Sequence, residues 1–181
     1  MSYSIVFETK IIKLKDGRIL HLDLSGCNND NVGRDRGDFT GKIYTEEDFL
    51  RKINDYKEGS RPYKENNDFI MKIGSRMCSM YDYGTHLERM LKRAVTWEEL
   101  DCNDRYVSVK SIDGVNVWEG ESKSPTTMSL KEFNDYFYKN IYSGKRIRFC
   151  NIETALNNEE EIVNALDAKK TVSFYIGKIR K

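Results

Sequence analysis

The sequence has few of the residues from which metal and redox sites are usually built. Among 181 residues there are two histidines, His21 and His86, and four cysteines. The cysteines lie far apart, and no two of them have the two-residue spacing that is typical of zinc ligands. We therefore expect reduced thiols, no bound metal and no cofactor.

A large excess of charge of one sign is also absent. The 30 Lys and Arg and the 29 Asp and Glu give a formal net charge of +1. This balance excludes a strongly basic nucleic-acid coat and an acidic mimic of the DNA phosphates. The distribution is less even, because residues 139–181 contain nine Lys and Arg but five Asp and Glu. The C-terminal part is therefore modestly basic.

Proline and long apolar runs are scarce too. The chain has two prolines, and its aromatic content of 12% is too high for a disordered protein. No apolar run approaches the ~20 residues needed to cross a bilayer, and the N-terminus lacks a charged segment followed by an apolar core. We expect a folded protein of the cytoplasm with a single domain, residues 1–181.

Two Asp-Gly dipeptides, Asp16-Gly17 and Asp113-Gly114, predict β-hairpins. Aspartate followed by glycine tolerates the positive φ of a tight turn. Each dipeptide lies between segments rich in apolar and β-branched side chains, which are residues 3–14, 18–24, 106–110 and 115–118.

The second strand of the first hairpin has an alternating pattern. Leu20, Leu22 and Leu24 occupy every second position, which predicts that the leucines face the core. His21 and Asp23 then share the opposite face, and we interpret them as an ordinary surface pair.

Apolar residues at helical spacing predict three helices, and a polar helix and one short capped turn are predicted as well. Thr96 and Ser129 are each followed three residues later by a glutamate, which is the pattern of a capping box. The predicted helices are residues 46–57, 85–95, 130–142 and 159–166, with the turn at 96–100. Further strands are predicted at residues 39–44, 69–73, 146–150 and 171–176.

Strands that come in local pairs with helices between them indicate an α+β fold. We predict a mainly antiparallel sheet built from the two Asp-Gly hairpins, with three to four helices packed on it. The order of hairpin and then helix occurs twice, which gives a weak repeat of residues 1–100 and 101–181.

The stretch from Ser25 to Asp38 is predicted to be a polar loop with Val32 as its only aliphatic residue. Loops of this length are mostly functional or disordered. Its arginines can bind carboxylate or phosphate, whereas the alternative is a loop whose Asn and Asp side chains bond its own backbone. Val32 and Phe39 stand where an EF-hand needs oxygen ligands, so no calcium site is predicted. The candidate partner-binding residues are Asn28, Asn29, Asp30, Arg34, Asp35, Arg36 and Asp38.

A second candidate surface lies near the C-terminus, where cations alternate with aromatic residues. If the two terminal strands pair, Arg146 and Arg148 lie on one face, where they can meet phosphates. The net charge is too small for tight unspecific binding, so nucleic-acid contact is expected as part of a larger complex. The candidate residues are Lys145, Arg146, Arg148, Lys178, Arg180 and Lys181.

Three segments resemble a known group of proteins: residues 10–30, KIIKLKDGRILHLDLSGCNND, residues 37–45, GDFTGKIYT, and residues 71–75, MKIGS. They are similar to small proteins of bacteriophages and mobile elements in low-GC Gram-positive bacteria. Some of these proteins resemble a type II anti-CRISPR family, which inhibits the guide-loaded effector nuclease. The resemblance implies a non-enzymatic inhibitor in the cytoplasm of a bacterial host, bound to a protein or a protein-nucleic-acid complex. It carries no catalytic residue over to this chain.

Two alternative functions stay open. Asp113, Glu121 and Lys123 match the Asp...Glu-x-Lys arrangement with which some nucleases hold a divalent metal. Here the glutamate and lysine fall in a polar segment rather than on a buried strand that could fix ligand geometry. The other alternative is a small phage-encoded regulator that binds DNA directly.

Overall fold

The computed structural model of the protein describes residues 5–28, 36–58, 80–102 and 105–179. These residues form eight strands and five helices, so the predicted α+β class is correct. The strands are β1 (Ile5–Lys13), β2 (Ile19–Asn28), β3 (Arg36–Tyr44), β4 (Val95–Thr96), β5 (Arg105–Glu119), β6 (Thr126–Met128), β7 (Ile147–Leu156) and β8 (Thr171–Lys178). The helices are α1 (Glu46–Glu58), α2 (Met80–Lys92), α3 (Trp97–Cys102), α4 (Leu130–Asn140) and α5 (Glu159–Asp167).

The contacts of the backbone divide the chain into two compact units. The first comprises Met1–Ser108 and Phe174–Lys181, and the second comprises Val109–Ser173. The boundaries fall inside β5 and β8, so each of these strands contributes residues to both units. The single domain and the weak repeat of residues 1–100 and 101–181 both stay predictions.

The first unit begins with the hairpin of β1 and β2. The two strands pair antiparallel from Lys13 and Ile19 outward. Gly17 takes the positive φ of +86° that the turn needs. The Asp16 carboxylate accepts hydrogen bonds from the Arg18 backbone N–H at 2.9 Å and from its Nε at 2.8 Å. The first Asp-Gly dipeptide therefore lies in a hairpin turn.

The sheet of the first unit has the strand order β4-β1-β2-β3-β8, followed by the start of β5. β2 pairs antiparallel with β1 and β3, whereas the short β4 pairs parallel with β1. Gly41 of β3 lies under the ring of Phe174 from β8, which occupies the position that a Cβ would take. A side chain at position 41 would therefore collide with this ring.

Both faces of this sheet are buried. On one face Ile11 and Ile19 pack in a cluster with Phe49 and Ile53 of α1 and Leu87 of α2. The opposite face carries a second set of buried side chains, which are Ile12, Leu20, Leu22 and Phe174. The predicted inward direction of Leu20 and Leu22 is confirmed, but the face behind them is also covered.

The second predicted hairpin is wrong. Asp113-Gly114 lies inside β5, which continues from Arg105 to Glu119 and pairs antiparallel with β7 on both sides of the dipeptide. The register shifts between Ile112 and Gly114, so the dipeptide forms a bulge instead of a turn. Aspartate and glycine are common both in bulges and in tight turns. Here β5 stays extended through the dipeptide because it pairs with β7 on both sides of it.

The helices of the second unit begin where the sequence predicts. Ser129 and Glu132 form a reciprocal capping box at α4, and the side chain of Asn158 caps α5. Ile162 and Ala165 of α5 are buried, whereas α4 has no fully buried residue. α4 therefore packs less deeply than its apolar stripe predicts.

Some predictions fail or lie outside the described residues. Leu50 and Ile141 belong to the apolar pattern that predicts two of the helices, which places them on the buried side, but both are exposed. The strand predicted at residues 69–73 lies outside the described residues. Cys102 and Cys150 are exposed free thiols. No helix in the described part of the chain is long and apolar enough to span a membrane.

Candidate binding surface

The segment predicted as a loop from Ser25 to Asp38 belongs to strands at both of its ends. β2 extends to Asn28, which pairs with Ile5 of β1, and β3 begins at Arg36. The polar run at the end of β2 is hydrogen-bonded into the sheet because β1 reaches far enough to pair with it. Asp38 is exposed in β3. Four further candidates lie outside the described residues, which are Asn29, Asp30, Arg34 and Asp35.

The candidate cations near the C-terminus do not form one group. Lys145, Arg146 and Arg148 belong to the second unit, whereas Lys178 belongs to the first. The condition that the two terminal strands pair is not met, because β7 pairs with β5 and β8 takes its place between β3 and β5. The remaining candidates, Arg180 and Lys181, lie outside the described residues.

The second unit carries exposed aromatic rings beside three of these cations. Tyr142 is 95% exposed, Tyr138 is 75% exposed and Phe149 is 50% exposed. Large apolar rings at this exposure are typical of interaction sites when they lie close together. We define the aromatic-basic surface as the side chains of Tyr138, Tyr142, Lys145, Arg146, Arg148 and Phe149.

Three phenylalanines fix α4 against β7 at this surface. The ring centroid of Phe149 lies 4.9 Å from that of Phe133 and 6.0 Å from that of Phe137. Phe149 is directly opposite the buried Val117 of β5, so its ring extends the apolar face of the sheet to the edge strand. Tyr138 in turn lies 6.2 Å from Phe137. Tyr138 and Phe149 thus belong to a packed aromatic cluster.

The turn after α4 is held by its own hydrogen bonds. Asn140 donates from its side chain to the Tyr136 carbonyl at 2.8 Å. Ser143 donates from its hydroxyl to the Asn140 carbonyl at 2.7 Å and accepts from the Lys145 N–H at 3.3 Å. Gly144 has a φ of +73°, which few other residues adopt easily. Tyr142 is therefore carried by a turn with defined geometry.

The cations of the surface contact exposed carboxylates and a carbonyl. The Arg146 guanidinium lies 3.1 Å from the Glu121 carboxylate, and the Lys145 ammonium lies 3.9 Å from the Glu119 carboxylate. Arg148 donates to the Ser122 carbonyl at 2.9 Å. Exposed ion pairs contribute about 0–1 kcal/mol, so an anionic partner can replace these carboxylates at small cost.

Strand alternation places Arg148 and Phe149 on opposite sides of β7. Arg148 is opposite Trp118 of β5, whereas Phe149 is opposite Val117, so the two side chains lie on opposite faces of the sheet. Among the described strands, β7 pairs with β5 alone. The aromatic-basic surface therefore follows an edge of the sheet and includes side chains from both faces.

Tyr136 links α4 to the end of β5. Its hydroxyl donates a short hydrogen bond to the Glu119 carboxylate. Desolvation, together with this hydrogen bond, raises the pKa of Tyr136 to about 12. The phenol therefore stays protonated at neutral pH and keeps this contact.

The residues of the nuclease alternative have other partners. Asp113 accepts hydrogen bonds from the hydroxyls of Ser111 and Thr154, both at 2.6 Å, and these bonds lower its pKa. Glu121 is paired with Arg146. Within residues 5–28, 36–58, 80–102 and 105–179, no group of three or more His, Cys, Asp or Glu side chains is placed to hold a metal ion.

His21 was predicted to lie on the surface beside Asp23, but it is 3% exposed. Its ring centroid lies 5.6 Å from that of Phe49 and 6.3 Å from that of Tyr44. Burial, with Lys52 nearby, lowers the pKa of His21 to about 4. In the described part of the chain its Nε2 has no hydrogen-bond partner. The neutral imidazole therefore serves as a core side chain.

Sequence reasoning found the cations of the aromatic-basic surface but missed its tyrosines. Tyr138 and Tyr142 are four residues apart, which places them on one side of a helix and its continuation. This spacing, together with the lysine and the arginines that follow, could have indicated the surface from the sequence. Comparison of the chain with protein-family models, with curated proteins and with solved structures gives no match.

Proposed function

We propose that the protein is a non-enzymatic inhibitor in the cytoplasm of a bacterial host. Its partner is the guide-RNA-loaded type II CRISPR effector nuclease, and binding blocks DNA targeting or cleavage. The aromatic-basic surface is the observation that supports a binding function. The resemblance of residues 10–30, 37–45 and 71–75 to proteins of phages and mobile elements supplies the identity of the partner.

The composition of the surface is suited to a contact with a macromolecule. Tyrosine and arginine are enriched among residues that dominate the free energy of protein interfaces. The backbone at Tyr138 and Tyr142 is ordered by a helix end and a hydrogen-bonded turn, so binding costs little backbone entropy there. A partner made of protein and RNA offers both apolar groups and phosphates to these side chains.

A cleavage assay tests this function. The purified effector is loaded with guide RNA, mixed with increasing amounts of the protein and given target DNA. We expect cleavage to stop near equimolar protein, and the double substitution Tyr138→Ala and Tyr142→Ala to weaken inhibition about tenfold or more. The control is Lys131→Ala, which removes an exposed cation from the first turn of the same helix. Full cleavage at a large excess of wild-type protein would refute the proposal.

A further inference from the structure

The turn and strand that carry the aromatic-basic surface have a local charge that the whole chain lacks. Residues 139–149 contain four cations and no carboxylate, whereas the complete chain has a net charge of +1. Glu119 and Glu121 approach from β5 and the turn after it, which leaves an excess of two positive charges. The surface therefore attracts an anionic partner.

We propose that the aromatic-basic surface binds single-stranded nucleic acid. Tyr142 and Tyr138 stack on unpaired bases, while Lys145, Arg146 and Arg148 contact the phosphates. This inference rests on the proposed function and names the part of the partner that the surface contacts, which is an unpaired strand of RNA or DNA.

The exposed rings favour a single strand over a duplex. A base can stack on an aromatic side chain when its own face is accessible, and stacking on the neighbouring base pairs hides that face in a duplex. Tyr142 is 95% exposed, so its ring is accessible to a base without any rearrangement of the protein. A duplex would offer only its phosphates, which three cations partly paired with carboxylates bind weakly.

The arrangement around β7 suits a flexible chain of phosphates. Phe149 and α4, which carries Tyr138, lie toward one face of the sheet, and Arg148 lies on the other. A single strand can bend around this edge, with its bases on the aromatic side and its backbone along the arginines. OB folds that bind single strands cover about 4–16 nucleotides, and a surface with two stacking tyrosines is expected to cover a number at the lower end.

Binding of short oligonucleotides to the full chain tests the inference. The probes are a fluorescent oligo(dT) and oligo(U) of about 12 nucleotides and a duplex of equal length, measured by fluorescence anisotropy. We expect both single strands to bind more tightly than the duplex, and the affinity to fall as salt rises from about 50 to 200 mM. Equal affinity for the duplex, or no binding of single strands at the lower salt, would overturn the inference.

Matched substitutions separate stacking from unspecific attraction. Tyr142→Leu keeps apolar area but removes the ring, and we expect it to weaken binding about tenfold. Tyr142→Phe keeps the ring and should bind as the wild type does. Arg146→Gln with Arg148→Gln should reduce the salt dependence, whereas Lys131→Gln should leave it unchanged. Equal binding by the Leu and Phe variants would exclude stacking.

The two proposals fail in different ways. Inhibition of the effector without binding of oligonucleotides would leave the inhibitor function standing and refute the contact with a single strand. Binding of oligonucleotides without inhibition would support the contact and refute the function. Because Tyr142 is almost fully exposed, its substitution leaves the fold intact, which circular dichroism of each variant verifies.

Discussion

At the scale of single residues, His21 shows how burial changes the chemistry of a side chain. It lies on the sheet face that α1 and α2 cover, and its ring contacts those of Tyr44 and Phe49. Charging the ring there would require moving an imidazolium out of water, next to the ammonium group of Lys52. Asp23 opposes this effect, but burial is the larger cause.

We expect His21 to make the protein less stable in acid. The pKa of His21 is about 4 in the folded protein, whereas its ordinary value of 6.5 applies to the unfolded chain. The unfolded chain therefore binds the proton more tightly. The full stability is present above pH 6.5 and is lost as the pH falls toward 4. The free energy of unfolding should fall by about 3 kcal/mol over this range from this residue.

Urea unfolding at several pH values, compared with His21→Leu, measures this contribution. The substitution removes the titrating group but keeps an apolar side chain, so the slope between pH 6.5 and 4 should become shallower. Carboxylates titrate in the same range in both proteins. The difference between the two curves of unfolding free energy against pH therefore isolates the contribution of His21. Parallel curves would show that the imidazole is not held neutral by the fold.

The directions of side chains were predictable only in part. Leu20 and Leu22 point into the core as their alternation predicts. His21 does not follow the prediction and Phe149 stays half exposed, because burial depends on what covers each face of the sheet. His21 is buried by helices from elsewhere in the chain, and Phe149 is half exposed because β7 is an edge strand.

At the scale of elements, the capping boxes were predictable because they are local. Thr96 and Glu99 bond each other's backbone N–H groups at 3.3 and 2.7 Å, and Ser129 and Glu132 do the same at 3.2 and 2.8 Å. Every atom of such a box lies within four residues. The bulge at Asp113-Gly114 was not predictable in this way, since it depends on pairing with β7 about forty residues later.

We expect Ser129→Ala to destabilise α4, which carries Tyr138. The substitution leaves the Glu132 N–H without its cap, and lost caps of this kind cost about 1 kcal/mol. Ser129→Asp should restore most of the stability because its carboxylate can accept the same hydrogen bond. Denaturant unfolding followed by circular dichroism compares the three proteins, and unchanged stability of the alanine variant would contradict the role of the cap.

At the scale of the whole molecule, the return of the C-terminus to the first unit was not predictable. Phe174 is fully buried, and its ring covers Gly41. The centroid of this ring lies 6.4 Å from that of Trp97. The spacing of Val172, Phe174 and Ile176 predicts a strand with one buried face, which is correct. Periodicity cannot name the neighbour of a strand, so the position of β8 beside β3 required the structure.

The candidate site was partly predictable for the same reason. Lys145, Arg146 and Arg148 could be identified from sequence because they are close together in the chain. Their distance from the rings and the exposure of Tyr142 depend on the packing of α4 against β7. Lys178 was grouped with them only because it is near them in sequence, and it lies in the other unit.

The same topology predicts that the first unit depends on the last strand of the chain. A chain that ends at Ser173 lacks Phe174, which leaves Gly41 and Trp97 without the ring that covers them. Removal of a buried phenylalanine ring alone costs about 3–5 kcal/mol, so we expect β2 and β3 to lose protection in amide hydrogen exchange. A chain that ends at Ile179 keeps all of β8 and should retain this protection. Full protection of β2 and β3 in the shorter chain would mean that the first unit is stable without β8.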